Sequence, residues 1–311
     1  MSLLPPQFLG LPPVDLEQAD ALILPLPLEK TVSYGTGTRG GPRAILEASR
    51  QIELFDEETL VDFAERPKLC TLPPLLPAAG RPAEHPNSAG HAGSAEDVQL
   101  YLETVRRHVA GLGAKFLVAL GGEHTVSYGV IGGLVQEPAE LTIVQIDAHA
   151  DLIDALDGRH WSHGTVMRRL WERGCRLIGI GIRSLSRSEY ELTRSAERIT
   201  TFYAHELGAR WQELLATLAG LEGKVYVTID VDGLDPAVIP STGTPQPGGL
   251  TWRQMMELLA AVAGARRSCW VGADVVEFVP SPAPPGCDPA AARLVMKVLA
   301  WWTASRGLAN E

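Results

Sequence analysis

Short apolar runs alternate along the chain with stretches that have helical periodicity. The runs are largely continuous rather than apolar at every second position, which is typical of parallel strands buried on both faces. Strands are predicted at Ala21–Leu26, Lys115–Leu120, Leu141–Ile146, Arg176–Ile182, Ile199–Tyr203, Lys224–Ile229 and Trp270–Val276.

Helices are predicted between these strands. Ser94, followed by Asp97, has the pattern of an N-cap with a partial capping box. An apolar stripe at helical spacing follows: Val98, Tyr101, Leu102, Val105, Val109 and Leu112. Further helices are predicted at Pro42–Leu54, Thr165–Arg173, Trp211–Leu221, Trp252–Ala263 and Pro289–Ser305. The alternation indicates an α/β fold with three layers (α/β/α) and a mainly parallel central sheet, and no linker clearly divides residues 1–311.

The composition is that of a folded chain with a large core. Of 311 residues, 45% are hydrophobic and 21% are charged, with no long block of one sign. A net charge of -10 disfavours nucleic acid and anionic membranes as partners and is compatible with a cationic substrate. No apolar run reaches the roughly 18 residues of a transmembrane helix, so none is expected.

Two features favour a cytoplasmic protein. The opening segment MSLLPPQFLGLPP has no basic region and is interrupted by prolines, unlike a secretory signal. The four cysteines are widely scattered and form no C-x-x-C pair, so they are expected to be reduced thiols. They are Cys70, Cys175, Cys269 and Cys287.

Four of the predicted strands end abruptly in residues of the kind that bind metals. The carboxyl ends of parallel strands lie at one edge of a sheet, so these residues are expected to share a crevice. Taken alone, each ending also fits turn or cap residues, but the recurrence favours a common site. The endings are Glu123 and His124; Asp147, His149 and Asp151; Asp230, Asp232 and Asp235; and Asp274 and Glu277.

Divalent cations would explain such a concentration of carboxylates. Side chains two residues apart in an extended segment point the same way, so those of Asp147–Asp151 can converge, as can those of Asp230 and Asp232. Without a cation the four aspartates would repel one another and raise one another's pKa values. Two divalent ions would balance them, and carboxylates and imidazoles without sulfur suit Mn²⁺. Such a pair also lowers the pKa of a water shared between them.

Several motifs resemble the ureohydrolase (arginase/agmatinase) superfamily and occur in that family's order. Between residues 121 and 280 they are GGEHTVSYG, DAHADL, WSHGTVMRR, TIDVDGLDPAVIPSTGTPQPGGL and ADVVEFVP. The earlier stretch SYGTGTRGGPRAILEASRQIELFDEET is similar to the N-terminal part of agmatinases. The resemblance therefore covers most of the chain, and the DVDGLDP segment is highly specific.

The resemblance implies a hydrolase with an α/β/α fold, two Mn²⁺ ions per subunit and a homotrimeric or homohexameric assembly. The family's catalytic histidine matches His163, and its guanidinium-binding glutamate matches Glu277, so both are expected to contact the substrate. Without the resemblance, the histidine also fits a helix start and the glutamate an exposed strand end. The family's metal ligands match His124, Asp147, His149, Asp151, Asp230 and Asp232.

These roles suit the hydrolysis of a guanidinium group to urea and an amine. Its carbon is a poor electrophile because resonance spreads the positive charge, so attack requires a strong nucleophile. Glu277 can hold the planar group through paired N–H···O bonds. His163 can pass a proton to the departing amine, since histidine ordinarily titrates near neutral pH.

The substrate is expected to be agmatine, which would give putrescine for polyamine biosynthesis. Arginases carry an Asn/Ser-rich segment before the catalytic histidine, whereas this chain has LIDALDGRHWSHG. In that loop Trp161 is a candidate to flank a methylene chain or simply to pack, and Arg159 a candidate to bind an acid. Two departures affect specificity: Gln246 stands where agmatinases often have Glu, and FVPSPAPPGCDP after Glu277 is unusually rich in proline.

Other functions remain open. One is hydrolysis of a guanidino acid such as guanidinobutyrate, or of a formimino group. Another, from a different class, is a catalytically silent oligomeric binding protein, which the intact ligand set disfavours. His85 and His91, in a Pro-rich stretch, are expected to be solvated loop residues rather than metal ligands.

Overall fold

An eight-stranded sheet forms the centre of the computed structural model, which describes residues 6–77, 95–280 and 286–307. The strands are β1 (Ala21–Leu26), β2 (Phe55–Asp56), β3 (Val61–Asp62), β4 (Leu69–Thr71), β5 (Phe116–Gly121), β6 (Leu141–Ile146), β7 (Arg176–Ile182), β8 (Ile199–Tyr203), β9 (Glu222–Asp230) and β10 (Arg267–Val276). The sheet order is β4–β1–β5–β10–β9–β6–β7–β8, and every neighbouring pair is parallel. The short strands β2 and β3 form a separate antiparallel hairpin.

Helices cover both faces of this sheet, which confirms the predicted three-layer α/β/α fold. They are α1 (Gly41–Ser49), α2 (Ala95–Ala110), α3 (Val126–Leu134), α4 (Val166–Glu172), α5 (Arg187–Ser195), α6 (Leu207–Ala219), α7 (Trp252–Ala263) and α8 (Asp288–Ser305). One apolar core joins the sheet to α1, α6, α7 and α8, and a second joins it to α2, α3 and α4. Within the described ranges, no helix combines the length and the apolar character needed to cross a bilayer.

All the predicted strands are present, and four of them have the predicted bounds: β1, β6, β7 and β8. Continuous burial accounts for β1, β6 and β7, in which every position except Arg176 is buried. All four cysteines are free thiols, as predicted. Ser94, His85 and His91 lie outside the described residues.

Two helices were not predicted, for different reasons. In α3 the sequence VSYGVIGGL has no polar face and several glycines, which disfavour a helix. A Cβ on Gly129 would lie 2.7 Å from the Leu102 carbonyl oxygen, so glycine lets α3 approach α2 closely, and packing outweighs propensity. For α5 the signal was available, because Ser186 and Glu189 form a full capping box.

Two predicted helix boundaries were wrong. Helix α1 ends at Ser49 rather than Leu54; the Ser49 hydroxyl donates to the Leu46 carbonyl and accepts from the Leu9 amide. Helix α6 begins at Leu207 rather than Trp211. Ion pairs that link Arg210 to Glu206 and Glu213, at 2.8 and 2.7 Å, stabilise a first turn that apolar periodicity does not mark.

The sheet order brings the four polar strand endings together. The strands β5, β10, β9 and β6 are direct neighbours at the centre of the sheet, although they are far apart in sequence. The chain passes from β5 to β6, continues outward to β7 and β8, and then returns to fill the two positions between β5 and β6 with β10 and β9, so the direction of winding changes here. Ligand sites in open α/β sheets form at such a point, outside the carboxyl ends of the strands.

A buried ion pair joins the β2–β3 hairpin to α8. Lys297 is only 1% exposed, and its Nζ lies 2.6 Å from Oδ2 of Asp56 and 2.8 Å from Oε2 of Glu58. Burial by itself would raise the pKa of Asp56, but Lys297 and Thr59 outweigh it and lower that pKa. A charge buried this deeply is tolerated because its partner is present.

Replacing Lys297 with Ala should destabilise the fold by about 3–5 kcal/mol, because it leaves the buried Asp56 carboxylate without its partner. Urea unfolding at neutral pH measures the loss. The matched control is Arg293→Ala on the same helix, whose pair with Glu57 is exposed and should contribute less than about 1 kcal/mol. Equal losses in the two variants would contradict the importance of the buried pair.

Candidate metal and catalytic site

The six predicted metal ligands meet at the carboxyl edge of the central strands. Their ligand atoms form two overlapping groups in which all atoms lie within 4.8 Å of one another. The first group is His124, Asp147 and Asp151, and the second is Asp147, His149 and Asp232. Asp230 joins them, with Oδ2 3.7 Å from Nδ1 of His124. Because Asp147 belongs to both groups, the arrangement suits two adjacent cations that share a ligand.

Two glycines allow the strand ends to approach this closely. A Cβ on Gly122 would collide with the carbonyl oxygen of Leu28, so only glycine fits before the Glu123–His124 pair. A Cβ on Gly233 would lie 2.7 Å from the backbone nitrogen of Asp147. The loop after β9 therefore packs directly against the end of β6.

Two carboxylates of the site sit on strained backbone. Asp151 has φ 53° and Glu277 has φ 60°, both in the left-handed region that non-glycine residues rarely adopt. Such a conformation costs of order 1–3 kcal/mol and persists where the surroundings enforce it. For Glu277 the enforcing contact is its backbone N–H, which donates to the carbonyl of Gly122 at 2.8 Å.

Neighbouring side chains fix the orientation of the fully buried His124. The Thr228 hydroxyl donates to the Asp274 carboxylate at 2.6 Å, so it can only accept from Nε2 of His124, which lies 2.8 Å away. The proton of the neutral ring is then on Nε2. A metal-binding imidazole usually donates its other ring N–H to a carboxylate, a carbonyl or water. Here the Thr228 hydroxyl is the acceptor, and Asp274 fixes that hydroxyl.

The other nitrogen of His124 indicates what the site binds. Nδ1 is buried without a hydrogen-bond partner, 2.9 Å from Oδ2 of Asp151 and 3.3 Å from Oδ2 of Asp147. A bare ring nitrogen facing carboxylate oxygens is repulsive unless a cation or a proton lies between them. The donor set, all oxygen and nitrogen, is suited to divalent cations of the Mn²⁺ type.

The raised pKa values of the predicted ligands also indicate that the site stabilises positive charge. Burial and the neighbouring Asp151 raise the pKa of Asp147 to about 7. Burial would lower the pKa of His149, but the hydrogen bond with Asp232 outweighs it and raises that pKa to about 9. Burial and Asp232 also raise the pKa of Asp230 well above its ordinary range. Without metal ions, these side chains would retain protons, and divalent cations can replace those protons.

Both predicted catalytic residues lie beside this cluster. The cavity at the site is lined by His163 and Glu277 together with four of the predicted ligands, namely His124, His149, Asp151 and Asp230. Glu277 is 9% exposed, and its Oε1 accepts a 2.7 Å hydrogen bond from the backbone N–H of His124. Burial raises its pKa well above the ordinary range, which a bound cation would reverse.

The structure does not bring Trp161 and Arg159 to the same cavity. Among the described residues that line it, neither occurs. Trp161 packs edge-on against Tyr128, with ring centroids 4.6 Å apart, and Arg159 closes a tight turn with Leu156. Packing thus accounts for Trp161 by a direct contact, and the substrate role of both residues stays a prediction.

Several residues that sequence reasoning missed support the site. The cavity is also lined by the segment 32–35, to which sequence reasoning assigned no role in the site. Arg183 donates from Nη2 to the carbonyls of Asp232 at 2.6 Å and Gln246 at 2.8 Å, and from Nε to that of Pro247 at 3.1 Å. It thereby ties a ligand-bearing loop to the loop that contains Gln246, which takes part through its backbone.

The fold and the site together define a class of protein: an α/β/α enzyme with a carboxylate–imidazole centre for two metal ions. The sequence model of the arginase family matches residues 19–300, and the chain belongs to that family. This membership, with the His/Asp cluster, confirms the predicted amidinohydrolase class.

Similar proteins agree with this placement. The chain is 33% identical to an N(1)-aminopropylagmatine ureohydrolase of Synechocystis over 93% of its length and 90% of the relative. It is 33% identical to an agmatinase of Halalkalibacterium halodurans, covering 92% of this chain and 93% of the relative. The crystal structure of the agmatine ureohydrolase of Thermoplasma volcanium has the same fold, with a TM-score of 0.79, 24% identity, and coverage of 95% of this chain and 94% of the other.

Changing Asp232 to Asn should lower the bound metal, because the amide removes both a negative charge and a ligand oxygen from the cluster. Loss of even an outer partner of a metal ligand weakens binding by about 10- to 100-fold, and we expect at least that here. Elemental analysis after loading with Mn²⁺ and dialysis measures the stoichiometry. Asp235→Asn is the control, since Asp235 lies in the same loop but accepts from the backbone of Ala237 and Gly248. Unchanged metal content in the Asp232 variant would contradict the ligand assignment.

Proposed function

We propose that this protein hydrolyses agmatine to urea and putrescine. The observation that carries the proposal is the cavity lined by Glu277, His163 and four of the six predicted ligands, because a carboxylate in that position could hold a guanidinium beside bound metal ions. The relatives named agmatinase and N(1)-aminopropylagmatine ureohydrolase support hydrolysis of a guanidino group.

The proposed cofactor is a pair of Mn²⁺ ions in each subunit. The proposed ligands are His124, Asp147, His149, Asp151, Asp230 and Asp232. When bound, such ions supply Lewis acidity and lower the pKa of water at the site. The four aspartates of the cluster balance two divalent charges, which supports this stoichiometry.

Glu277 is the residue proposed to hold the substrate's guanidinium. Its backbone and its Oε1 are both fixed by hydrogen bonds, so the carboxylate is oriented before substrate arrives. A planar guanidinium donates two parallel N–H bonds to a carboxylate, which sets the position of its carbon as well as its charge. Since the site is buried, this ion pair is screened less than one in water.

His163 is the proposed proton carrier. It is partly buried, lines the cavity, and has a hydroxyl at each ring nitrogen, that of Thr31 at 3.2 Å and that of Ser33 at 2.9 Å. The departing amine must gain a proton as its bond to carbon breaks. An imidazole placed beside the scissile bond can provide one near neutral pH.

The second candidate substrate is N(1)-aminopropylagmatine, a longer cationic guanidino compound. Three relatives at 33–35% identity bear that name, which supports it. A guanidino acid is less well supported, because Arg159, the residue proposed to bind an acid, is not among the described residues of the cavity wall. A homotrimer or homohexamer and a single catalytic domain over residues 1–311 complete the proposal from the family resemblance, and a cytoplasmic location is proposed from the scattered cysteines.

A substrate panel tests the function directly. Protein loaded with Mn²⁺ is assayed for product release from agmatine, N(1)-aminopropylagmatine, arginine, guanidinobutyrate and formiminoglutamate. We expect urea from one of the first two at a kcat/KM at least about tenfold above the acids, since an unpaired carboxylate at the site costs more than about 1.4 kcal/mol. No product from any of them would refute the proposal and favour the silent binding protein.

Glu277→Gln should lower kcat/KM for the preferred substrate by about 10- to 100-fold, because hydrogen bonds to a charged group contribute about 1.5–3 kcal/mol. Metal content should not change, since Glu277 is not one of the proposed ligands. Steady-state kinetics and elemental analysis of the same preparation make the comparison. Wild-type activity in this variant would exclude Glu277 from guanidinium binding.

A further inference from the structure

The ring of His163 is held by one segment of the chain, residues 31–33. The hydroxyl of Thr31 lies 3.2 Å from Nδ1 and also accepts from the backbone N–H of His163 at 3.2 Å. The hydroxyl of Ser33, which is exposed, lies 2.9 Å from Nε2. Both nitrogens therefore have a hydroxyl partner, and the direction of each hydrogen bond decides which nitrogen carries the proton.

Glu123 decides the direction of the hydrogen bond between the Thr31 hydroxyl and His163. It is fully buried, yet it belongs to neither metal-binding group found in the described ranges. Its carboxylate accepts from the backbone N–H groups of Lys30 at 2.6 Å and Thr31 at 2.7 Å. It also accepts from the hydroxyls of Thr31 at 2.9 Å and Thr125 at 2.7 Å. With four donors around it, the carboxylate acts only as an acceptor.

The single proton of the Thr31 hydroxyl determines the tautomer of the His163 ring. The hydroxyl has one proton to donate. A hydrogen bond to a carboxylate is roughly twice as strong as one to a neutral acceptor, so the hydroxyl donates to Glu123. The oxygen must then accept from His163, which requires a proton on Nδ1. In the neutral ring Nε2 is bare and accepts from Ser33. The buried His124 has the opposite tautomer by the same device, through Thr228 and Asp274.

We propose that Glu123, acting through Thr31, is a positioning residue that keeps His163 in the Nδ1-protonated tautomer, so that Nε2 exchanges the proton. As the C–N bond of the substrate breaks, its electron pair stays on the amine nitrogen, which takes the proton from Nε2 of the imidazolium. Nε2 then regains a proton from solvent through the exposed Ser33 hydroxyl. The proton transfer rests on the proposed function, whereas the tautomer does not.

The tautomer is measured by ¹⁵N NMR of histidine-labelled protein, either metal-free or loaded with diamagnetic Mg²⁺. Protonated and bare ring nitrogens have well-separated shifts, and the chain has 8 histidines, so His163→Asn assigns the signal. We expect a protonated Nδ1 and a bare Nε2 in the wild type. Thr31→Val should abolish this preference, and Thr31→Ser should keep it. Thr125→Val is the matched control, because it removes a donor to Glu123 that does not reach His163.

Kinetics on the preferred substrate provide the second readout. General acid–base catalysis contributes about 10²–10⁴-fold, so loss of the tautomer preference in Thr31→Val should lower kcat by about 10- to 100-fold, with KM within about twofold. Thr31→Ser should restore most of kcat. In a His163→Asn background Thr31→Val should cost nothing further, because residues that act through one another are not additive.

The outcomes separate this inference from the proposed function. A protonated Nε2 in the wild type, or an unchanged tautomer and kcat in Thr31→Val, would overturn the inference. If that variant does not fold, Glu123→Gln serves instead. Its amide can donate to the Thr31 oxygen, so the Thr31 hydroxyl would then donate to Nδ1 of His163, and the ring would shift to the other tautomer. If no amidine is hydrolysed by the wild type, the proposed function fails, and the NMR result still decides whether Glu123 sets the tautomer.

Discussion

Four buried aspartates cannot remain ionised side by side unless positive charge lies among them, and much of the molecule is arranged around that constraint. The sheet order makes neighbours of the strands that carry these residues, and glycine at Gly233 lets two ligand-bearing loops touch. Arg183 then holds the loop after β9 through the backbone carbonyls of Asp232 and Gln246 rather than through the Asp232 carboxylate.

His124 and His163 are oriented by the same arrangement of partners, and this arrangement leaves a different ring nitrogen bare in each. In each case a buried carboxylate accepts a hydrogen bond from a threonine hydroxyl, so the threonine oxygen must accept from the ring. At His124 the bare nitrogen faces the aspartates, where a metal ion can bind. At His163 the bare nitrogen faces Ser33 and the cavity, where a proton can be exchanged. The chemistry of each imidazole is therefore set by a threonine and a carboxylate that are not among the described residues lining the cavity.

The site is assembled at a cost that the rest of the fold offsets. Asp151 and Glu277 occupy left-handed backbone, and several carboxylates are removed from water. Against this stand two continuous apolar cores and the parallel sheet between them. Outside the site, the buried charge of Lys297 is likewise accompanied by its partner Asp56.

The sequence by itself determined the layers, the strands and the candidate ligands, because each follows from a local pattern. A continuous apolar run marks a strand, and carboxylates two residues apart at its end mark the candidate ligands. It missed α3, where glycine serves contact with another helix, and overlooked the capping box of α5. Only the tertiary structure decided the roles of Thr31, Thr228 and Arg183. Thr31 and Glu123 are 92 residues apart, and no spacing rule links a hydroxyl to a carboxylate that folding alone brings within 2.9 Å.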